Sequence, residues 1–352
     1  MLSHQPTADV DLSSLIRSAS KRGTEYLLSR RNEKGLIGRD IFALCTVPLA
    51  LYEAGFEEEA HTQLSAIQRE FLRDGKIIPE YLRDRIISRN FVCYYLSLLA
   101  LASAKLKDEE GLHALGDSML EYQDSTFGGF YLVHDPPERS EMHATITSLC
   151  GTVCLRLGQK EKATMAGEFI IRLLNLQHDP DLFSYRTNIK GQLIQDSYLV
   201  DRRKTRQRYA VLGKMIWFLV NLHRATGNPS YLEGAERIFI FADSCRKDIY
   251  HRFSSAMLAS GAALLHNMTG NPRHSSMANA IAESLAKHQH SDGSWPIGWI
   301  INELDRPISV TDCIKAVSHR ESWNVDRTSE AVIALSGVLE ASNMRKLEER
   351  NQ

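Results

Sequence analysis

Two helical patterns take turns along this chain. Leu12–Arg30 is one-sided, with Leu15, Ile16, Ala19, Tyr26 and Leu27 on one face and Arg and Lys on the other. The next segment, Arg39–Ala54, is apolar on most sides. The alternation continues. Amphipathic Glu57–Leu72, Glu109–Tyr122, Lys160–Leu176, Tyr231–Cys245 and Arg273–His288 take turns with apolar Arg85–Lys105, Glu141–Leu157, Arg206–Thr226, His251–Met268 and Asp326–Ala341. A helix that buries one stripe reads as one-sided, and one that touches neighbours all round reads as apolar. About twelve helices in this order predict a double ring, with the amphipathic helices outside and the apolar ones inside. Almost no segment alternates with period two between turn residues, so no sheet is expected.

The punctuation repeats as well. Gln289–Trp299 reads Q-H-S-D-G-S-W-P-I-G-W, a corner in which Gly293 is free to adopt positive φ. Weaker copies stand at Arg31–Ile37, Gln123–Phe130 and Gln177–Tyr185. A second repeat, Thr-Gly-Asn-Pro, begins at Thr226 and again at Thr269, 43 residues on. In each, Gly closes one helix and Pro opens the next. The fold class expected is all-α, an (α/α)6 toroid of six hairpins over residues 12–342. A disordered tail (1–11) is expected before it and a charged tail (343–352) after it.

The spacing of Gln289, Gly293 and Trp295 resembles the repeat motif of the terpenoid cyclase and protein prenyltransferase toroids, with Gln123–Phe130 a looser copy. That resemblance implies the double ring. It brings no catalytic motif with it: there is no Asp-x-Asp-Asp acid, and Asp312, Cys313 and His319 do not match the separated zinc ligands of the prenyltransferases. Six-hairpin sugar enzymes, the sugar 2-epimerases and unsaturated-glycan hydrolases, share the same double ring.

Composition removes several functions. With 42 basic and 43 acidic residues the chain carries no footprint for nucleic acid or an anionic membrane. Its longest apolar runs, Phe91–Ala104 and Tyr209–Leu222, are interrupted and suit buried helices rather than membrane spans. Six Cys without a C-x-x-C pair, and no signal-peptide pattern, place the protein in the cytoplasm with its thiols reduced. No phosphate loop, dinucleotide fingerprint, nucleophile elbow or H-E-x-x-H is present, so the expected chemistry uses no cofactor and no metal.

Connections from outer to inner helices all open on one face, where the inner N-termini point free N–H groups at the axis. First-turn residues of inner helices are therefore the candidates: Asp40, Asp84 with Arg85, Glu141 with His143, Arg206 with Tyr209, His251 with Arg252, and Asp326 with Arg327. Of these, His143, His251, Tyr209, Asp326 and Glu141 are the catalytic candidates. A His beside a helix N-terminus is expected to stay neutral. Tyr81, Asp84, Arg85, Arg206, Trp295, Trp299 and Trp323 are the substrate-binding candidates, the Trp residues competing with a packing role. The run Asp201–Arg208 suits either an acidic substrate group or a solvated loop. The expected function is a cyclase, isomerase or lyase that folds a small, largely apolar molecule in the central cavity by acid–base catalysis. The alternatives are a carbohydrate-active epimerase, lyase or hydrolase, and a non-catalytic binding toroid.

Overall fold

The computed structural model describes residues 11–82, 91–132, 141–195, 199–295 and 320–351. Six outer helices are α1 (Leu12–Ser29), α4 (Glu57–Phe71), α6 (Glu109–Leu120), α8 (Lys160–Asn175), α10 (Pro229–Asp243) and α12 (Pro272–Lys287). The inner ring is α2 (Ile41–Leu44) with α3 (Val47–Glu53), then α5 (Val92–Lys105), α7 (Ala144–Arg156), α9 (Ala210–Thr226), α11 (Ala256–Thr269) and α13 (Arg320–Asn351). Each inner helix packs on the next, and α13 returns to α3, so the ring closes. Helix α1 packs on α13, so the chain's first and last helices make the sixth pair. This is the (α/α)6 toroid read from the alternation.

Both Thr-Gly-Asn-Pro repeats do what their residues dictate. Gly227 (φ 73°) and Gly270 (φ 69°) end α9 and α11 in the left-handed region, and Asn228 and Asn271 cap the helices that Pro229 and Pro272 begin. The Gln corners are stitches between outer helices. Gln289 Nε2 donates to Ala19 O of α1 (2.9 Å) and to Gly293 O (2.8 Å). Gln123 Nε2 donates to Lys162 O of α8 (3.0 Å) and Gly128 O (3.2 Å). At Gly293 (φ 88°) and Gly128 (φ 79°) a Cβ would stand 2.2 Å from the carbonyl oxygens of Arg22 and Met165 respectively. Only glycine lets the corner lie on the neighbouring backbone.

Three departures from the sequence expectation have local causes. Helix Arg39–Ala54 is split into α2 and α3, because Pro48 has no N–H to offer Leu44. Three two-stranded ribbons occur among the described residues: β1 (Leu72–Arg73) with β2 (Lys76–Ile77), β3 (Glu141–His143) with β5 (Arg186–Asn188), and β4 (Leu182–Ser184) with β6 (Leu199–Asp201). Strands of two or three residues are too short for a period-two pattern to show. Helix α13 begins at Arg320, before Asp326, and continues to Asn351 through the stretch expected to be a tail.

Candidate functional site

The inner helices are apolar, yet their N-terminal halves bring a polar layer to the axis. Lys214 of α9 is 6% exposed, and its Nζ lies 3.2 Å from Glu330 Oε1 of α13 and donates at 3.2 Å to the Tyr94 hydroxyl of α5. The Tyr94 hydroxyl in turn reaches Glu330 Oε1 at 3.5 Å. Arg327 Nη1 stands 3.9 Å from Glu330 Oε2, and its guanidinium lies over the Phe253 ring (4.9 Å to the centroid) and, farther off, over the Trp323 ring (5.9 Å). Trp323 meets Phe42 edge to face, centroids 4.5 Å apart. Next to this layer, Ser322 Oγ donates to Asp40 Oδ2 (2.6 Å), and Asp40 Oδ1 caps α2 through the Ala43 amide (3.1 Å).

Asp326 and Glu330 stand one turn apart on α13, and their surroundings push their pKa values in opposite directions. Burial, then the charges of Glu330 and Asp40, push the Asp326 carboxyl well above the usual carboxylate range. Its Oδ1 is buried and takes no hydrogen bond, as suits a neutral acid rather than an ion stripped of water. Burial also works against an ionised Glu330, but Lys214 and Arg327, with the Lys214 and Tyr94 hydrogen bonds, outweigh it and hold that carboxyl below its ordinary value. Burial raises the Tyr94 hydroxyl, as do Glu330 and Asp326. Two carboxyls pushed apart in this way can serve as a proton donor beside a fixed negative charge.

His143 caps α7, its Nδ1 accepting from the Thr145 amide (3.1 Å), which leaves the proton of a neutral ring on Nε2. Burial, followed by the positive charges of Arg186, Arg208 and Lys214, holds its pKa down at about 3. The ring packs against Tyr185 with centroids 5.0 Å apart. Glu141 lies in β3 rather than in a first helical turn and is bound to Arg186 Nη1 at 2.6 Å.

Other candidates lie away from this layer. Tyr209 is fully buried and its hydroxyl donates to Asp248 Oδ1 (3.2 Å), while Arg206 is exposed at φ 63° with its amide on Asp248 Oδ2 (2.7 Å). His251 is exposed, with Nδ1 3.4 Å from Ser284 Oγ of outer helix α12. Helices α9 and α11 begin at Ala210 and Ala256, later than the pattern suggests, with 3-10 turns at Lys247–Tyr250 and Phe253–Ser255 ahead of α11. That delay moves Arg206, Tyr209 and His251 off the inner helices. Trp295 is a packing residue: it is 1% exposed, donates Nε1 to Leu285 O (2.9 Å) and fills the space left by Gly23. Tyr81 packs at a tilt on Phe71 of α4, ring centroids 4.5 Å apart, and donates to Glu70 (3.2 Å). The basic run is tied up internally, Arg203 on Asp201 (2.9 Å) and Arg202 on Asp181 (2.6 Å). Asp84, Arg85 and Trp299 lie outside the described residues.

Sequence reasoning missed Tyr94, Lys214 and Glu330. The signal was present: Lys214 is the one charge in the run from Val211 to Val220, and Glu330 follows Asp326 at the spacing that shares a helix face. Among the described residues no group of His, Cys, Asp and Glu is arranged to hold a metal ion, and no helix is long and apolar enough to cross a membrane.

Neither a protein-family profile nor a curated protein sequence matches the chain. Solved structures do. An unsaturated glucuronyl hydrolase specific for heparin superimposes with a TM-score of 0.64 at 10% identity, over 94% of this chain and 98% of that one. The α-1,6-mannanase of Salegentibacter sp. HEL1_6 gives 0.60 at 13% identity, over 93% and 99%. A D-mannose isomerase gives 0.61 at 10% identity, over 82% and 90%. At such identities the likeness shows the fold alone. The toroid half of the resemblance read from the corner motif is thus shown. Its terpenoid-cyclase half finds no support among these structures.

Proposed function

We propose that this toroid is a carbohydrate-active enzyme working by acid–base catalysis at the front of its inner ring. The observation that carries the reading is the Asp326–Glu330 pair, one turn apart on α13, with one carboxyl pushed up and the other held down, and with Trp323 one turn before Asp326 on the same helix. Cleavage of a glycosidic bond needs a proton delivered to the leaving oxygen and negative charge near the developing oxocarbenium ion. Asp326 supplies the first, and Glu330, fixed by Lys214 and Tyr94, supplies the second. Isomerisation of a free sugar would draw on the same donor. The three saccharide-directed toroids of similar fold favour this class over the cyclase reading.

The substrate class follows from charge. Arg186, Arg208 and Lys214 all bear on His143 as positive charges, set against two carboxylates, Glu141 on Arg186 and Glu330 on Lys214, and the surplus positive charge suits a sugar carrying a carboxylate. Neutral His143, donating from Nε2, then serves to orient a sugar oxygen. Glu141 acts through Arg186, and Tyr209 and His251 hold the surrounding loops. The test is a panel of unsaturated uronides, α-1,6-mannooligosaccharides and free mannose, with products separated by chromatography. Turnover of a uronide that disappears in Asp326→Asn is the expected result. Turnover of neutral sugars only would overturn the substrate class, and turnover unchanged in Asp326→Asn would overturn the site.

A further inference from the structure

The rear of the inner ring holds an open space. It runs from the back of the Tyr94–Lys214–Glu330 layer towards the C-terminal ends of the inner helices, a narrow cavity of about 90 Å³ that opens at its outer end. Tyr94 and Lys105 both line it and lie eleven residues apart on α5, so the space is about 16 Å deep at 1.5 Å per helical residue. Its throat is apolar, walled by Leu98, Leu101, Leu149, Met257 and Ile333, with Trp217 alongside. An elongated cavity that is mostly apolar, with a few polar groups at one end, is the usual form of a small-molecule site.

The charges decide what kind of molecule. At the floor Lys214 is set against Glu330 at 3.2 Å. At the mouth stand two cations, Lys105 and Arg156, and two carboxylates, Glu53 and Glu340, with Lys105 bound to Glu53 at 2.9 Å. Neither end carries a net charge that would compensate an ion drawn into the throat, and an ion left there without compensation is heavily penalised. A neutral molecule meets no such penalty, and a hydroxyl at its deep end meets donors and acceptors on Tyr94, Lys214 and Glu330.

We propose that this rear cavity is a binding site for a neutral, elongated apolar molecule bearing a single hydroxyl, entered from the end of the toroid opposite the acid–base pair. The site shares its floor with that pair but does not rest on the saccharide reading. The probe is 1-octanol, titrated into the full-length protein by calorimetry and by Trp fluorescence, with Trp217→Phe identifying the reporter. The expected result is saturable binding of octanol, at least about tenfold tighter than octanoate or octylammonium. It should be lost in Leu101→Phe or Met257→Phe, whichever melts like the wild type, because the added ring fills the throat. It should persist in Asp326→Asn, so loss of catalysis and loss of this site read out separately. No saturable binding, binding that survives the filled throat, or equal binding of an ionic congener would each overturn the proposal.

Discussion

The two ends of one ring of helices have opposite characters. In their N-terminal halves α5, α9 and α13 bring Tyr94, Lys214 and Glu330 together, each tied to the other two, with Asp326 one turn before Glu330. Further along the same helices Leu98, Leu101 and Ile333 face the axis and leave it open. The helices, their propensity and their packing partners are the same at both ends, so fold does not set the difference. A few side chains at helical spacing do. In the proposed function the chemistry lies on the stripe facing the axis, and the outer ring and its corners hold that stripe in place.

The comparison breaks hardest at Asp326. Asp326→Asn removes the proton donor, and turnover should fall by about 10²–10⁴-fold, measured as kcat on whichever saccharide is turned over. The same change should leave the melting temperature at neutral pH equal or higher. A carboxyl raised above its unfolded value of 3.8 retains its proton in the fold, so stability falls as pH rises above 3.8 through its folded pKa. Asn is spared that cost.

Next in size is Glu330→Gln. It leaves the Lys214 ammonium buried without its counter-ion, and should cost about 3–5 kcal/mol in chemical denaturation. Replacing both partners, with Lys214→Met and Glu330→Met together, should cost far less, because the buried charge goes with its partner. At the rear, Leu101→Ala should cost less than the broken pair, about 2 kcal/mol, because it enlarges a space that already exists. A rear truncation costing more than the front one would reverse the contrast between the ends.

The remaining effect is a slope with pH, the smallest when read per pH unit. His143 is held at about 3 against an ordinary 6.5, so between those values the unfolded chain binds the extra proton. Stability should therefore fall as pH drops through that window, by up to about 1.4 kcal/mol per pH unit. His143→Gln should flatten that part of the curve, measured as denaturation midpoints at pH 6.5, 5.5 and 4.5.

Much of this fold was legible in sequence, and particular residues show why. The Gln-Gly corners and the Thr-Gly-Asn-Pro breaks are local signals with local causes, so Gln289, Gly293, Asn228 and Pro229 act in the structure as their chemistry requires. The site was legible only in part. Asp326 and Trp323 were picked as first-turn neighbours, yet α13 begins at Arg320, so Asp326 faces the axis by helical phase and not by its place at a terminus. Lys214 and Glu330 lay in stretches read as buried apolar helix, and nothing local says that this Lys and this Glu, 116 residues apart, will meet. His251 and Tyr209 went to the axis on helix starts placed several residues early. Each residue of such an error turns a side chain by about 100°.

The central claim is that the axis holds one neutral and one ionised carboxyl, and infrared difference spectroscopy at neutral pH tests it most directly. The account predicts a protonated-carboxyl C=O band in the wild type that vanishes in Asp326→Asn and survives in Glu330→Gln. No such band, or one that persists in Asp326→Asn, would contradict it.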